Sequence, residues 1–244
     1  MQITAWTVFI AALITALATG LGALPFFLFK DIPRNWLGVF NGIAAGLMLG
    51  ASFSLMDEGM NLNVLRLLLG VLVGVVFISY FHGRLETDSS TNVAGLKGAD
   101  AAKSLLIIGV MTLHSFSEGV GVGVSYGGGQ NLGSFITAAI AIHNIPEGLA
   151  ISLVLVPRGT SPLKAGLWSI FSSLPQPLMA VPAFLLVTIF RPFLPFGLGL
   201  AAGAMLWMVF AELIPDALDE ISHNSVAVTV ALSVAAMLGF QTLL

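Results

Sequence analysis

The chain has 244 residues, of which 57% are hydrophobic and only 9% are charged, and its mean hydropathy is +0.99. Soluble domains carry about 25% charged residues, so this composition excludes a water-soluble protein and predicts an integral membrane protein. The formal net charge is −3 and no basic run suggests a nucleic-acid partner, while the lack of cysteine excludes disulfides and thiolate metal ligands.

The apolar residues form eight runs of about 20 residues, the length that a helix needs to cross the hydrocarbon core of a bilayer. We therefore predict an all-α, polytopic membrane protein with eight transmembrane helices, folded as one domain over residues 1–244. The predicted spans are residues 4–29, 36–56, 62–82, 104–126, 131–156, 164–190, 196–218 and 225–244. The polar connection at about 83–103 is predicted to be a flexible cytoplasmic loop.

The basic residues are distributed unevenly between the two sides of this predicted topology. Arg66 and Arg191 lie on one side, and seven lie on the other: Lys30, Arg34, Arg84, Lys97, Lys103, Arg158 and Lys164. Because loops rich in Lys and Arg stay in the cytoplasm, the pattern predicts that both termini are extracytoplasmic.

Spans four and five each contain a His-x-x-x-Glu phrase near their middle. His114 and Glu118 belong to the first copy, and His143 and Glu147 belong to the second. Residues four apart share a helical face, and an ionisable group at mid-bilayer costs about 2.5–3.5 kcal/mol unless it is compensated. Two carboxylates and two imidazoles would neutralise and coordinate one divalent ion, with Zn²⁺, Fe²⁺, Mn²⁺ and Cd²⁺ all acceptable. Since the two spans run antiparallel, the repeat also predicts a pseudo-two-fold axis in the membrane plane.

Three further polar residues extend this predicted metal site. Ser115, Asn144 and Gln176 lie in the same or neighbouring spans, where they could add oxygen ligands or hold the ligands in place. Gln176 is equally compatible with an interhelical hydrogen bond that touches no ion.

Three acidic residues predict a path to and from the site. Asp57 and Glu58 end the second span, where they would form an acidic entrance that concentrates cations, or simply a solvated helix end. Glu212 lies near the cytoplasmic end of the seventh span and is predicted to line the exit. Small residues on the second and fourth spans predict that alternating access occurs by sliding along these two Gly-faced helices.

Other interpretations of the same residues stay open. The His and Glu side chains could only pack helices together, or they could relay protons in a proton- or sodium-coupled carrier of an organic solute. An intramembrane metalloenzyme is a further alternative, although the His-Glu-x-x-His order of zinc proteases does not occur. The paired ligand set without a separate general base favours a transporter, with the metal as its substrate and not as a cofactor.

Eight spans and two His-x-x-x-Glu phrases together resemble the ZIP (Zrt/Irt-like) family of divalent metal transporters, most closely its GufA-like branch. The phrase from His143 to Gly148 is similar to the signature of the family's fifth helix. The resemblance implies import of zinc or a similar ion, motion of one helical unit against another, and dimerisation. It also implies a transport site lined by the four motif residues, with Asn144 beside them.

The sequence departs from the family pattern at three positions. Ser115 and Gln176 stand where relatives often have oxygen ligands for a second metal, so the resemblance implies one dominant site here. Ala211 replaces a histidine that often precedes the glutamate at position 212, which weakens the implied exit site. We expect a multi-pass protein of the cell membrane, or of an organelle membrane if the chain is eukaryotic.

Overall fold

The computed structural model describes residues 3–28, 33–86, 92–93, 96–97 and 99–243. Within these ranges the chain is helical, apart from a hairpin of two-residue strands. The helices are α1 (Ala5–Thr19), α2 (Leu24–Leu28), α3 (Arg34–Glu86), α4 (Ala99–Gly127), α5 (Gln130–Leu155), α6 (Pro162–Ser173), α7 (Pro175–Leu185), α8 (Val187–Phe190), α9 (Leu194–Met208), α10 (Ile214–Glu220) and α11 (His223–Leu243). Strand β1 (Asn92–Val93) pairs antiparallel with β2 (Leu96–Lys97).

Six helical segments among the described residues are long and apolar enough to cross a membrane. They are Ala5–Leu28, Arg34–Tyr80, Lys103–Gly127, Gln130–Leu155, Val187–Glu220 and His223–Gln241. This finding confirms the predicted class, a helical protein with several membrane spans. Most of the predicted loop 83–103 lies outside the described part of the chain, as do Lys30 and the side chains of Arg84 and Lys97.

Helix α3 is two helices joined at Asn63. Its 53 residues would extend about 80 Å if straight, more than twice the thickness of the hydrocarbon core. Asn63 has an extended backbone (φ −165°, ψ 105°), and its side-chain oxygen accepts a hydrogen bond of 2.9 Å from the Arg66 amide, as an N-cap does. A Cβ on Gly59 would lie 2.5 Å from the Leu67 side chain, although eight residues of straight helix span about 12 Å. The chain therefore reverses at Asn63 into a first arm (34–62) and a second arm (64–86).

The predicted sixth span, residues 164–190, is not one continuous helix. Helix α6 begins at a Ser161 cap, whose side chain accepts a hydrogen bond from the Lys164 amide, and it ends before Leu174. Pro175 then starts α7, because proline has no N–H to continue the helical ladder but is well suited to a first turn. The break puts the fully buried Gln176 in the first turn of α7, pointing into the protein.

Glycines let the helix backbones approach closely within two groups of helices. In one group, Gly46 of the first arm faces the Val230 carbonyl of α11, and Gly70 of the second arm faces the Phe196 carbonyl of α9. The other group contains α1, α4, α5, α6 and α7, in which the backbone of Gly119 faces that of Gln176. The glycine faces of the predicted second and fourth spans pack against different helices, α11 and α7, so sliding along these faces stays a prediction.

Candidate metal centre

The two His-x-x-x-Glu phrases meet where α4 crosses α5 inside the second group of helices. His114 and Glu118 of α4 and His143 and Glu147 of α5 are all buried, and one potential ligand atom from each lies within 4.8 Å of the other three. His114 Nε2 lies 2.7 Å from Glu147 Oε1 and 3.4 Å from Glu118 Oε1, and His143 Nε2 lies 3.4 Å from Glu147 Oε1. The structure therefore brings together all four residues that the repeated phrase predicted.

These distances suit a tetrahedral ion. Zinc bonds of about 2.0–2.2 Å place neighbouring ligand atoms about 3.3–3.6 Å apart, which matches the two contacts of 3.4 Å. The 2.7 Å contact between His114 and Glu147 is tighter, at the distance of a charge-assisted ion pair. In the described part of the chain, the ligand nitrogens of both histidines, one oxygen of Glu118 and both oxygens of Glu147 have no hydrogen-bond partner.

Such unpartnered atoms distinguish a cation site from ordinary polar packing. Buried polar groups nearly always have hydrogen-bond partners, and a buried charge without a counter-charge is costly. Here the two carboxylates and two imidazoles of two helices converge as close ion pairs at 2.7–3.4 Å, an arrangement that a single cation could occupy. Two carboxylates and two neutral imidazoles together match the charge and the donor preference of one divalent ion.

A hydrogen-bonded network holds Glu118 from the side opposite the imidazoles. The Gln176 amide nitrogen donates to Glu118 Oε2 over 2.5 Å. Its oxygen accepts from the Asn144 amide over 3.1 Å and from the Thr15 hydroxyl over 2.5 Å. Asn144 also donates to the Thr15 carbonyl over 2.7 Å. Because the oxygen of Gln176 accepts two bonds inside this network, its contact with the metal site is the N–H that it donates to Glu118.

Two predicted site residues keep oxygens without a bond. Asn144 Oδ1 and Ser115 Oγ are buried, and neither has a hydrogen-bond partner among the residues described. Neither belongs to the group of four, so they are neighbours of the predicted ligands on α4 and α5.

Sequence reasoning missed Thr15. The single proton of its hydroxyl is shared between Gln176 and the Ala12 carbonyl 2.7 Å away, a local partner that threonines inside helices commonly have. A weak signal was available, because Thr15 and Thr19 are buried polar residues four apart in an otherwise apolar segment. Thr19 bonds Ser173 over 2.7 Å, so this polar face of α1 packs on the break between α6 and α7.

A cavity connects Glu58 with the four-residue cluster. It has a volume of about 180 Å³, and its lining includes Glu58, Glu118 and His143. A neighbouring cavity of about 270 Å³ also has Glu58 in its wall, together with Arg191. Asp57, the other predicted entrance residue, is exposed, as Glu58 is, but it lines neither of these two cavities.

Glu212 lies in a separate cluster of charges. It belongs to a π-helical turn (Val209–Leu213), and its carboxylate is 2.6 Å from the Lys103 ammonium group. Lys103 also lies 2.8 Å from Asp216, and His82 Nδ1 is 3.8 Å from Glu212. His82 follows the reversal at Asn63 by 19 residues of helix, about 28 Å, so this cluster is at the far end of the second arm.

Comparisons with known proteins agree with this geometry. A family model described as ZIP zinc transporter matches residues 82–244. The chain is 51% identical to a putative zinc transporter of Arabidopsis thaliana over 245 residues, which cover 99% of this chain and 39% of the plant protein. It is 34% identical to the zinc transporter GufA of Myxococcus xanthus over 222 residues, covering 85% of this chain and 87% of that protein.

A third relative has nearly the same extent as this chain. The zinc transporter ZupT of Chlorobaculum parvum is 32% identical over 240 residues, covering 88% of this chain and 89% of ZupT. The chain spans only about two fifths of the Arabidopsis protein but most of the two bacterial ones. The family match covers more than half of the sequence and includes both His-x-x-x-Glu phrases, so the chain belongs to the ZIP family of zinc transporters.

Proposed function

We propose that this protein carries divalent metal cations, with Zn²⁺ as the main substrate, across a membrane toward the cytosol. The observation that carries the proposal is the convergence of two carboxylates and two imidazoles between membrane-spanning helices. An ion that must later leave needs a site that matches its charge without enclosing it completely, and four ligands at the side of a cavity provide that. The relatives named as zinc transporters support the same conclusion.

One dominant cation at a time fits the charges around the site. Glu118 and Glu147 supply two negative charges, and the neighbouring Ser115, Asn144 and Gln176 supply none. A second divalent ion would therefore lack compensation in a medium of low polarity. Metal analysis of the purified, zinc-loaded protein should give one ion per chain, and two ions would contradict this part of the proposal.

Eight membrane crossings with both termini outside remain our proposal for the topology. The reversal at Asn63 divides one long helix into two crossings, and α6 with α7 can form a broken crossing, which adds two to the six apolar segments. The chain has no cysteine, so single cysteines introduced at Asn131 and Lys164 would be unique labels. A membrane-impermeant reagent applied outside intact cells should label the first and spare the second. The reverse result would invert the topology.

The proposed path begins at Glu58 and ends near Glu212. The cavity that joins Glu58 to Glu118 and His143 supports entrance from that side. Glu212 and Asp216 would receive the leaving ion. The Lys103 ammonium group already pairs with both carboxylates, so it would compete with the ion for them. A Glu212→Gln variant with unchanged transport would contradict this exit.

The entrance leads to a prediction with a matched pair of variants. We expect Glu58→Gln to raise the apparent KM for Zn²⁺ by roughly 3- to 10-fold, because one negative charge disappears from the wall of a narrow cavity. Asp57→Asn removes the same charge next to it, from a side chain that does not line this cavity, and should change KM less than about 2-fold. Initial uptake rates over a range of Zn²⁺ concentrations measure both. Equal effects would contradict an entrance at Glu58.

Two further features follow from family resemblance and remain proposals. These are a homodimer and a transport step in which the group holding the metal site moves against the group formed by α3 and α9–α11. Close glycine packing inside each group supports the second, since tightly packed helices move as units. A crosslink between α4 and α9 that leaves uptake intact would contradict such motion.

The test of the function is metal uptake into proteoliposomes that contain the purified protein and a zinc-sensitive dye. We expect saturable entry of Zn²⁺, with competition by Cd²⁺, Fe²⁺ or Mn²⁺ at different strengths. A coupled carrier of an organic solute would show no flux of the metal, and a metalloenzyme would bind the metal without net entry. Either result would overturn the proposed function.

A further inference from the structure

The orientation of the Gln176 amide follows from one backbone carbonyl on α1. The Thr15 carbonyl can only accept, so the Asn144 atom 2.7 Å from it must be the amide nitrogen. That nitrogen also lies 3.1 Å from Gln176, which must therefore present its oxygen there. The Thr15 hydroxyl lies 2.5 Å from the same oxygen and 2.7 Å from the Ala12 carbonyl, so its one proton is shared between these two acceptors. The nitrogen of Gln176 is thus left facing Glu118 Oε2.

This orientation limits what Glu118 can offer to an ion. Its Oε2 accepts the Gln176 N–H, and its Oε1 has no hydrogen bond and faces His114 Nε2 at 3.4 Å. One lone pair of Oε2 is thereby occupied while Oε1 stays free, so a carboxylate held in this way favours binding through one atom. With one atom from each of the four residues, the site has four ligands, which is the number that Zn²⁺ prefers. Mn²⁺ prefers six, mostly oxygens, and would benefit from a bidentate Glu118.

We propose that Thr15 is a positioning residue that determines metal specificity: through Gln176 it keeps Glu118 monodentate and so favours Zn²⁺ over Mn²⁺. This inference rests on the proposed transport function and adds to it a cause for selectivity. It assigns a role to the first helix, which carries none of the four ligands. Thr15 is fully buried, and its hydroxyl reaches across from α1 to α7.

The experiment compares Zn²⁺ and Mn²⁺ uptake in proteoliposomes for the wild type, Thr15→Val and Thr15→Ser. The valine has the shape of threonine without the hydroxyl, so the Gln176 oxygen keeps only its Asn144 donor and the amide is held less firmly against Glu118. We expect the ratio of Zn²⁺ to Mn²⁺ uptake to fall by a factor of about 2 to 10, as for the loss of one buried hydrogen bond. Serine keeps the hydroxyl and should retain the wild-type ratio.

Two additional variants make the result specific. Thr19→Val removes the neighbouring buried hydroxyl of α1, which bonds Ser173 and not Gln176, and should leave the ratio unchanged. Gln176→Met removes the amide itself and should lower the ratio at least as far as Thr15→Val, and it replaces that variant if the valine protein does not fold. An unchanged ratio in the folded Thr15→Val protein, or in Gln176→Met, would overturn the inference. If the wild type moved no metal, the proposed function itself would fail instead.

Discussion

Glu147→Gln should abolish metal-dependent uptake while the protein still folds. Glu147 is fully buried, and one of its oxygens lies 2.7 Å from His114 and 3.4 Å from His143, so it is the ligand shared by both phrases. The amide keeps the shape but leaves Glu118 as the single negative charge opposite a divalent ion. Because changes to residues that merely support ligands already reduce metal affinity about 10- to 100-fold, we expect a loss of at least about 100-fold.

Thermal stability separates loss of the site from loss of the fold. Without metal, Glu147→Gln should still unfold cooperatively, since the amide keeps the shape of the carboxylate, although the 2.7 Å ion pair with His114 is lost. At a zinc concentration of 100 times Kd, the wild type should gain about 2.7 kcal/mol, and the variant should gain almost nothing. Asp219→Asn, which removes a carboxylate from an exposed position, is the control and should transport normally. Wild-type uptake by Glu147→Gln would exclude this residue as a ligand.

The ligand residues could be predicted from the sequence because two patterns coincide in them, a residue spacing and a segment length. A spacing of four puts His and Glu on one helical face, and the length of the apolar runs puts both phrases at similar depth in the bilayer. Only a common partner compensates such charges, so the convergence of His114, Glu118, His143 and Glu147 followed from local rules.

The residues that hold these ligands could not be predicted in the same way. From the sequence, Gln176 could be either a metal ligand or the partner in an interhelical hydrogen bond. Which of these roles it has depends on the neighbours that face the oxygen and the nitrogen of its amide. Thr15 forms a local bond to its own helix, so its sequence context did not indicate a distant partner. Both roles arise from how α1 and α7 pack around α5, which hydrophobic periodicity does not encode.

The irregular points of the helices were also only partly predictable. The sequence indicated two consecutive spans that meet near Asn63. In the structure this asparagine caps the helix that follows the reversal. For the sixth span, Pro175 and Pro177 on either side of Gln176 mark the region of the break, but the sequence does not show that α6 ends at Ser173. Glycine patterns predicted close packing correctly but could not identify the partner helix, since any small-residue face suits several neighbours.

The second large effect should come from a residue that carries no charge. Gly148 follows Glu147 directly, and a Cβ added there would overlap the Thr19 carbonyl oxygen and lie 3.4 Å from the Gly22 Cα. Conversely, a Cβ on Gly22 would clash with the Leu149 amide nitrogen and the Gly148 carbonyl carbon. We expect Gly148→Ala to destabilise the protein by about 3 kcal/mol, because neither backbone can yield as a flexible side chain would. The melting temperature in detergent should fall by about 6–12 °C.

The matched control for Gly148→Ala is Gly109→Ala, on α4. A Cβ there meets no described atom within 4 Å, and alanine favours a helix over glycine by about 0.5–1 kcal/mol, so its melting temperature should stay the same or rise slightly. Any Gly148→Ala protein that still folds must separate α1 from α5, which moves Thr15 relative to Asn144 and weakens the support of Glu118. A lower zinc affinity should therefore accompany the lower stability. A Gly148→Ala protein that melts and binds zinc like the wild type would show that the close crossing of α1 and α5 is not required.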